Sequence, residues 1–140
     1  MTIEFDDNLI TGNELIDSQH QELISRIKQF VDSCEDGGGK IKAIQMLDYL
    51  ADYTNFHFSA EEKLQKDVGY PGLAEHQQKH EEFKNNLKEL EAFLDEAEGP
   101  TDAFVEQVKK NVVDWLFNHI KAFDRSVAEF IFLTDNPDRL

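Results

Sequence analysis

At 140 residues the chain is long enough for one domain with a core of its own and too short to make a second expected. A formal net charge of −15 repels phosphate backbones and anionic lipid, so no nucleic-acid and no membrane partner is expected, and no run approaches the ~18 apolar residues of a membrane span. The single cysteine, Cys34, rules out an internal disulfide; with a start unlike a signal peptide this predicts a reduced, cytoplasmic protein in which Cys34 is a small buried hydrophobe.

Residues 1–16 lack helical periodicity and read as an extended N-terminal arm, pinned by Ile3, Phe5, Leu9 and Ile16. Asp17 then reads as the N-cap of a first helix that runs to about residue 35 and stops at the triple glycine 37–39. In it His20, Leu23, Ile24, Ile27, Phe30, Val31 and Cys34 recur at steps of three and four, an apolar stripe that carries the histidine inward. A second helix, about 40–66, places Ile44, Leu47, Leu50, Thr54, His57, Glu61 and Leu64 on one side. A carboxylate in such a line is costly to bury unless it is paired or binds metal, so Glu61 needs a partner, whereas Glu62 reads as solvent-exposed.

Gly, Pro and Gly within residues 67–72 make a turn. A third helix, about 73–98, turns Leu73, His76, His80, Phe83, Leu87, Leu90 and Leu94 inward and stops at Gly99-Pro100. Thr101 or a residue near it reads as the cap of a fourth, whose inner face is Phe104, Val105, Val108, Val112, Trp115, Leu116, His119, Phe123, Val127 and Phe130; the tail 134–140 reads as frayed. The expected fold is therefore all-α, an up-down-up-down antiparallel four-helix bundle forming one domain over 1–140.

All five histidines stand where a metal site could use them. His57 and Glu61 are four apart, as are His76 and His80, and four residues turn an α-helix by about 400°, so each pair lies within about 40° on one face. His119 and Asp124 are five apart, which leaves Asp124 about 140° round an ideal helix and predicts a wide inward face or a π-bulge there. His20 near the start of helix one completes a set that antiparallel packing gathers at one end of the bundle. Seven donors exceed the four of a tetrahedral zinc, so two metals fit better, with the carboxylates bridging and the imidazoles split three and two. Nitrogen and oxygen donors without thiolate suit iron, manganese, cobalt or zinc.

The stretches IDSQHQEL, HFSAEEKL, GYPGLAEHQQKHEEF and DWLFNHIKAFD, spread over nearly the whole chain, resemble the haemerythrin family, and within it the single-domain bacterial haemerythrins. The resemblance implies two Fe ions in a non-haem di-iron site. His76, His80 and His119 would ligate one iron and His20 and His57 the other, with Glu61, Asp124 and an oxo or hydroxo group bridging. The second iron, one ligand short, would bind O2. The family's O2 pocket is apolar, and Leu116, Trp115, Ile120, Phe56 and Phe123 are placed to wall it, though each is equally a plain core residue. Gln65 stands where the family often has Met or another apolar residue, and Phe5 where it often has Trp. Facing the site, Gln65 would donate a hydrogen bond to the bound ligand or admit water; otherwise it points away.

The function so implied is reversible O2 binding for storage, delivery or sensing, without a catalytic residue. The alternative is a di-iron enzyme acting on peroxide or NO, or an oxidase, but five histidines to two carboxylates is unlike the carboxylate-rich sets of oxidising di-iron bundles. Sensing would need a separate signalling partner, and reduction a separate reductase.

Overall fold

The computed structural model describes residues 3–35 and 39–136. After a short 3-10 turn at Asp7–Leu9, the chain forms α1 (Glu14–Glu35), α2 (Gly39–Val68), α3 (Leu73–Glu96) and α4 (residues 102–135), packed in sequence order around a closed ring as an antiparallel bundle. Helix α1 begins three residues before Asp17. Asn13 is its side-chain cap, with Oδ1 accepting from the Ile16 amide at 3.0 Å. Asp17 lies in the first turn and holds the arm instead, accepting from the Thr11 amide at 2.9 Å and the Thr11 hydroxyl at 2.7 Å. Of the arm's expected anchors, Ile3, Leu9 and Ile16 are buried and Phe5 packs at the core's edge.

Two of the three glycines expected to stop α1, Gly37 and Gly38, lie outside the described residues, as do residues 137–140 of the tail; Thr134 and Asp135 continue α4 rather than fray. Helix α2 ends at Gly69, whose φ of 71° is left-handed backbone that a Cβ would strain. The Tyr70 amide there returns to the Gln65 carbonyl at 2.8 Å. This turn brings the last ligands of α2 level with the first ligands of α3.

Helix α4 is capped by Thr101, whose hydroxyl accepts from the Phe104 amide at 3.1 Å. It widens to π pitch twice, being α-helical over Asp102–Val108, π over Lys109–Asp114, α over Trp115–His119, π over Ile120–Asp124 and α over Arg125–Asp135. The second π turn is the one that the five-residue spacing of His119 and Asp124 predicts: i→i+5 bonding stacks residues five apart. The first was not legible. It leaves the Asn111 carbonyl to a side chain of α3, Asn86, whose Nδ2 donates to it at 3.0 Å.

Inside the ring one large apolar cluster runs from Ile3 and Leu9 through Leu23, Leu50, Phe58, Phe83 and Leu90 to Leu116 and Ile120. A smaller one, Ile16, Val127 and Ala128 with Leu64, Tyr70 and Ile131 against it, closes the opposite end. The histidines lie between the two, in a layer screened from water on both sides.

Candidate metal centre

All seven expected ligands converge. His20, His57, Glu61, His76, His80, His119 and Asp124 are each between 0% and 4% exposed, and each imidazole turns its Nε2 to the centre. His20 Nε2 is 2.8 Å from Asp124 Oδ2, and His76 Nε2 is 2.9 Å from both Glu61 Oε1 and Asp124 Oδ1. His57 and His80 approach Glu61 from its two sides, at 3.4 Å to Oε2 and 3.5 Å to Oε1, and His119 Nε2 lies 3.2 Å from Asp124 Oδ1. The donor atoms fall into two groups, each within 4.8 Å: His76, His80 and His119 with both carboxylates, and His20 and His57 with the same carboxylates. The fold thus sets the three-and-two split and gives both groups Glu61 and Asp124.

Such a cluster cannot satisfy itself. Among the described residues both oxygens of Glu61, Oδ1 of Asp124 and the Nε2 atoms of His20, His57 and His80 lack a hydrogen-bond partner, although buried polar groups are almost always paired. Burial and the neighbouring His20 push His57 down to about 3, and burial with His76 and His119 pushes His80 down to about 2. Burial also disfavours charge on His76, but the Asp124 and Glu61 carboxylates 2.9 Å from its Nε2 outweigh it and lift that ring to about 9. Burial and Asp124 push Glu61 well above the usual carboxylate range. Burial would raise Asp124 too, yet His119 and His20 hold it well below that range. Converging lone pairs, two shared carboxylates and a dry layer fit cations of the iron type.

Three ligand rings are oriented from behind. His57 Nδ1–H donates to Gln19 Oε1 at 2.7 Å, and His80 Nδ1–H donates to Glu62 Oε2 at 2.7 Å. Glu62 is therefore not a free surface acid: its side chain is 23% exposed, and Gln77 Nε2 donates to its other oxygen at 3.2 Å. Gln65 is fully buried, and its amide lies 3.0 Å from His76 Nδ1. If Nε2 were to bind a metal, Nδ1 would carry the hydrogen, and the amide would be turned so that Oε1, without a partner among the described residues, accepts it. Gln65 thus meets the site through the far side of a ligand.

The expected pocket wall divides. Leu116 and Ile120 are fully buried beside the ligand layer. Trp115 and Phe123 stack on opposite sides of their own helix neighbour His119, at 4.6 Å and 13° and at 5.2 Å and 14°, and line a surface hollow of about 230 Å3 with Lys79, Glu82 and Asn118. Phe56 does not belong to a wall: it is 58% exposed, against Tyr53 on the outer face of α2, because one residue before His57 is a helix rotation of about 100° away. Its place is taken by Phe58, fully buried and flat against the His80 ring at 3.8 Å and 1°.

The sequence pattern described as the Hemerythrin HHE cation binding domain matches residues 11–131. The chain is 30% identical to a bacteriohemerythrin of Pseudomonas aeruginosa (strain LESB58), over 89% of this chain and 78% of that one. It is 33% identical to a myohemerythrin of Riftia pachyptila, over 86% of each. Among solved structures it resembles a wild-type hemerythrin, with a TM-score of 0.72 and 25% identity over 82% of this chain and 85% of the other.

Proposed function

Because the chain belongs to the haemerythrin family, we propose that it binds O2 reversibly at a non-haem di-iron centre held by the seven converging residues. The observation that carries the proposal is the pair of donor groups sharing Glu61 and Asp124. His76, His80 and His119 would hold one iron and His20 and His57 the other, with Glu61 and Asp124 within reach of both. Bound there, ferrous iron would supply the two electrons that O2 takes up reversibly.

The rest is done by the chain. The two-histidine group offers one protein ligand fewer, so that side is where O2 has room. Leu116 and Ile120 keep water from the layer, which protects the reduced centre from protons that would make O2 binding one-way. Gln19, Gln65 and Glu62 hold three rings with Nε2 inward. A donor set of five nitrogens and two carboxylates gives less anionic support to high-valent iron than an oxidising enzyme needs, and so favours carriage. A centre that does oxidise needs electrons from outside, since no described residue is a redox cofactor; a separate reductase completes the proposal.

The protein acts as one domain over 1–140, in the cytoplasm, where its lone cysteine stays reduced. No helix among the described residues is long and apolar enough to cross a membrane. Elemental analysis after expression in iron-replete medium tests the centre: two irons per chain are expected, and a stoichiometry near one, or zinc in their place, overturns it. Rapid multiple turnovers of peroxide or NO would overturn carriage in favour of an enzyme.

A further inference from the structure

Among the described residues, His80 is the one candidate ligand ring with a carboxylate against its outer nitrogen. Its Nδ1 meets Glu62 Oε2 at 2.7 Å, whereas His57 and His76 meet the neutral amides of Gln19 and Gln65, and the Nδ1 atoms of His20 and His119 have no partner among the described residues. A carboxylate can only accept, so His80 carries its hydrogen on Nδ1 and directs the Nε2 lone pair inward. Both members of the pair are held in place. Phe58 lies flat on the ring at 3.8 Å, and Gln77 Nε2 donates to the second Glu62 oxygen at 3.2 Å.

A hydrogen bond from a ligating imidazole to a carboxylate draws the proton outward, gives the ring imidazolate character and makes Nε2 a stronger donor. The anion also stabilises the higher charge on the metal through a partly buried path, where screening is weak. The effect falls on one side only, the three-histidine group. We propose that Glu62 is a positioning residue that, through His80, makes the three-histidine iron the more readily oxidised of the pair. The inference rests on the di-iron reading above.

Parent protein, E62Q, E62L and E81Q, each loaded anaerobically with iron, separate the possibilities. Glutamine keeps an acceptor for Nδ1–H and removes the charge. Glu81 is a neighbouring acid whose side chain is 64% exposed, paired with Lys84 rather than with a ligand, so E81Q removes the same charge without the contact. In spectroelectrochemical titration E62Q is expected to retain two irons while its preference for Fe(III) over Fe(II) at one iron falls about tenfold, a midpoint rise of about 59 mV for one electron. E81Q is expected to stay close to the parent. E62L, which also loses the acceptor, is expected to bind iron about 10- to 100-fold more weakly by chelator competition. An E62Q midpoint no higher than that of E81Q overturns the proposal, as does E62Q losing iron outright, because glutamine preserves the bond. A parent that does not bind two irons removes the premise, and the proposal with it, so the two failures are told apart by the parent's iron content.

Discussion

Stripped of iron, the bundle must keep His57 and His80 neutral in its interior, and the energetic consequence depends on pH. In the unfolded chain both titrate near 6.5; folded, they do so at about 3 and about 2. Below about pH 6.5 the unfolded chain binds protons that the folded chain refuses, so stability is full above that pH and is lost on acidification, at about 1.4 kcal/mol per pH unit for each group. Glu61 runs the other way. Its folded value is raised, so on acidification the folded chain takes up that proton before the unfolded chain does, which offsets part of the histidines' loss. The net acid loss from pH 6.5 to pH 5 is therefore smaller than the ~3 kcal/mol of the two histidines alone.

On the alkaline side His76 decides. Lifted to about 9, it contributes stability that is fully present below about 6.5 and is lost as pH rises, about 3 kcal/mol by pH 9. Asp124, held low, contributes stability that disappears only in stronger acid. The metal-free bundle is therefore expected to be most stable near pH 6.5 and to lose up to ~3 kcal/mol on either side, a large share of the 5–15 kcal/mol typical of a domain. Urea unfolding of the metal-free protein at about pH 5, 6.5 and 9 measures it through the midpoints. Midpoints that stay flat, or that rise from pH 6.5 to 9, would refute the reasoning.

Three substitutions extend the account. His119→Ala removes both a ligand and the ring between Trp115 and Phe123, so the loaded protein is expected to lose iron and about 3 kcal/mol or more of stability; full iron occupancy with the parent's melting temperature would count against the ligand assignment. Gln65→Leu leaves His76 Nδ1–H buried without an acceptor, and iron affinity by chelator competition is expected to fall about 10- to 100-fold; an unchanged affinity would deny Gln65 its role behind the ligand. Phe56→Ser is expected to change stability by less than about 0.5 kcal/mol and leave iron content alone; a large loss of either would return Phe56 to the pocket.

The convergence of the seven candidate ligands was legible because each sits on an apolar stripe at a step that a helix turns into one face, and because the one step that does not fit, from His119 to Asp124, requires the π turn found there. What helical periodicity does not report is the layer behind the ligands. Glu62 and Gln19 lie next in sequence to Glu61 and His20, off the inward stripe, and reach His80 and His57 on other helices. Only the packing of α1 against α2 and of α2 against α3 makes them neighbours. Phe56 and Phe58 flank His57 symmetrically in the sequence, and the direction in which α2 rolls against α3 decides that Phe58 is buried and Phe56 is not. Asp17 was misplaced for a similar reason. Asn13 and Asp17 are both good caps, and the backbone of the arm, which needs an acceptor for Thr11, assigns the first to the helix and the second to the loop.

The optical spectrum of the anaerobically reduced, iron-loaded protein, recorded before air, after air and after argon, tests the central claim most directly. Reversible binding predicts a visible absorption band that appears with air, disappears under argon and returns over repeated cycles at constant iron content. A band that argon does not remove, or a single irreversible oxidation on first contact with air, would contradict it.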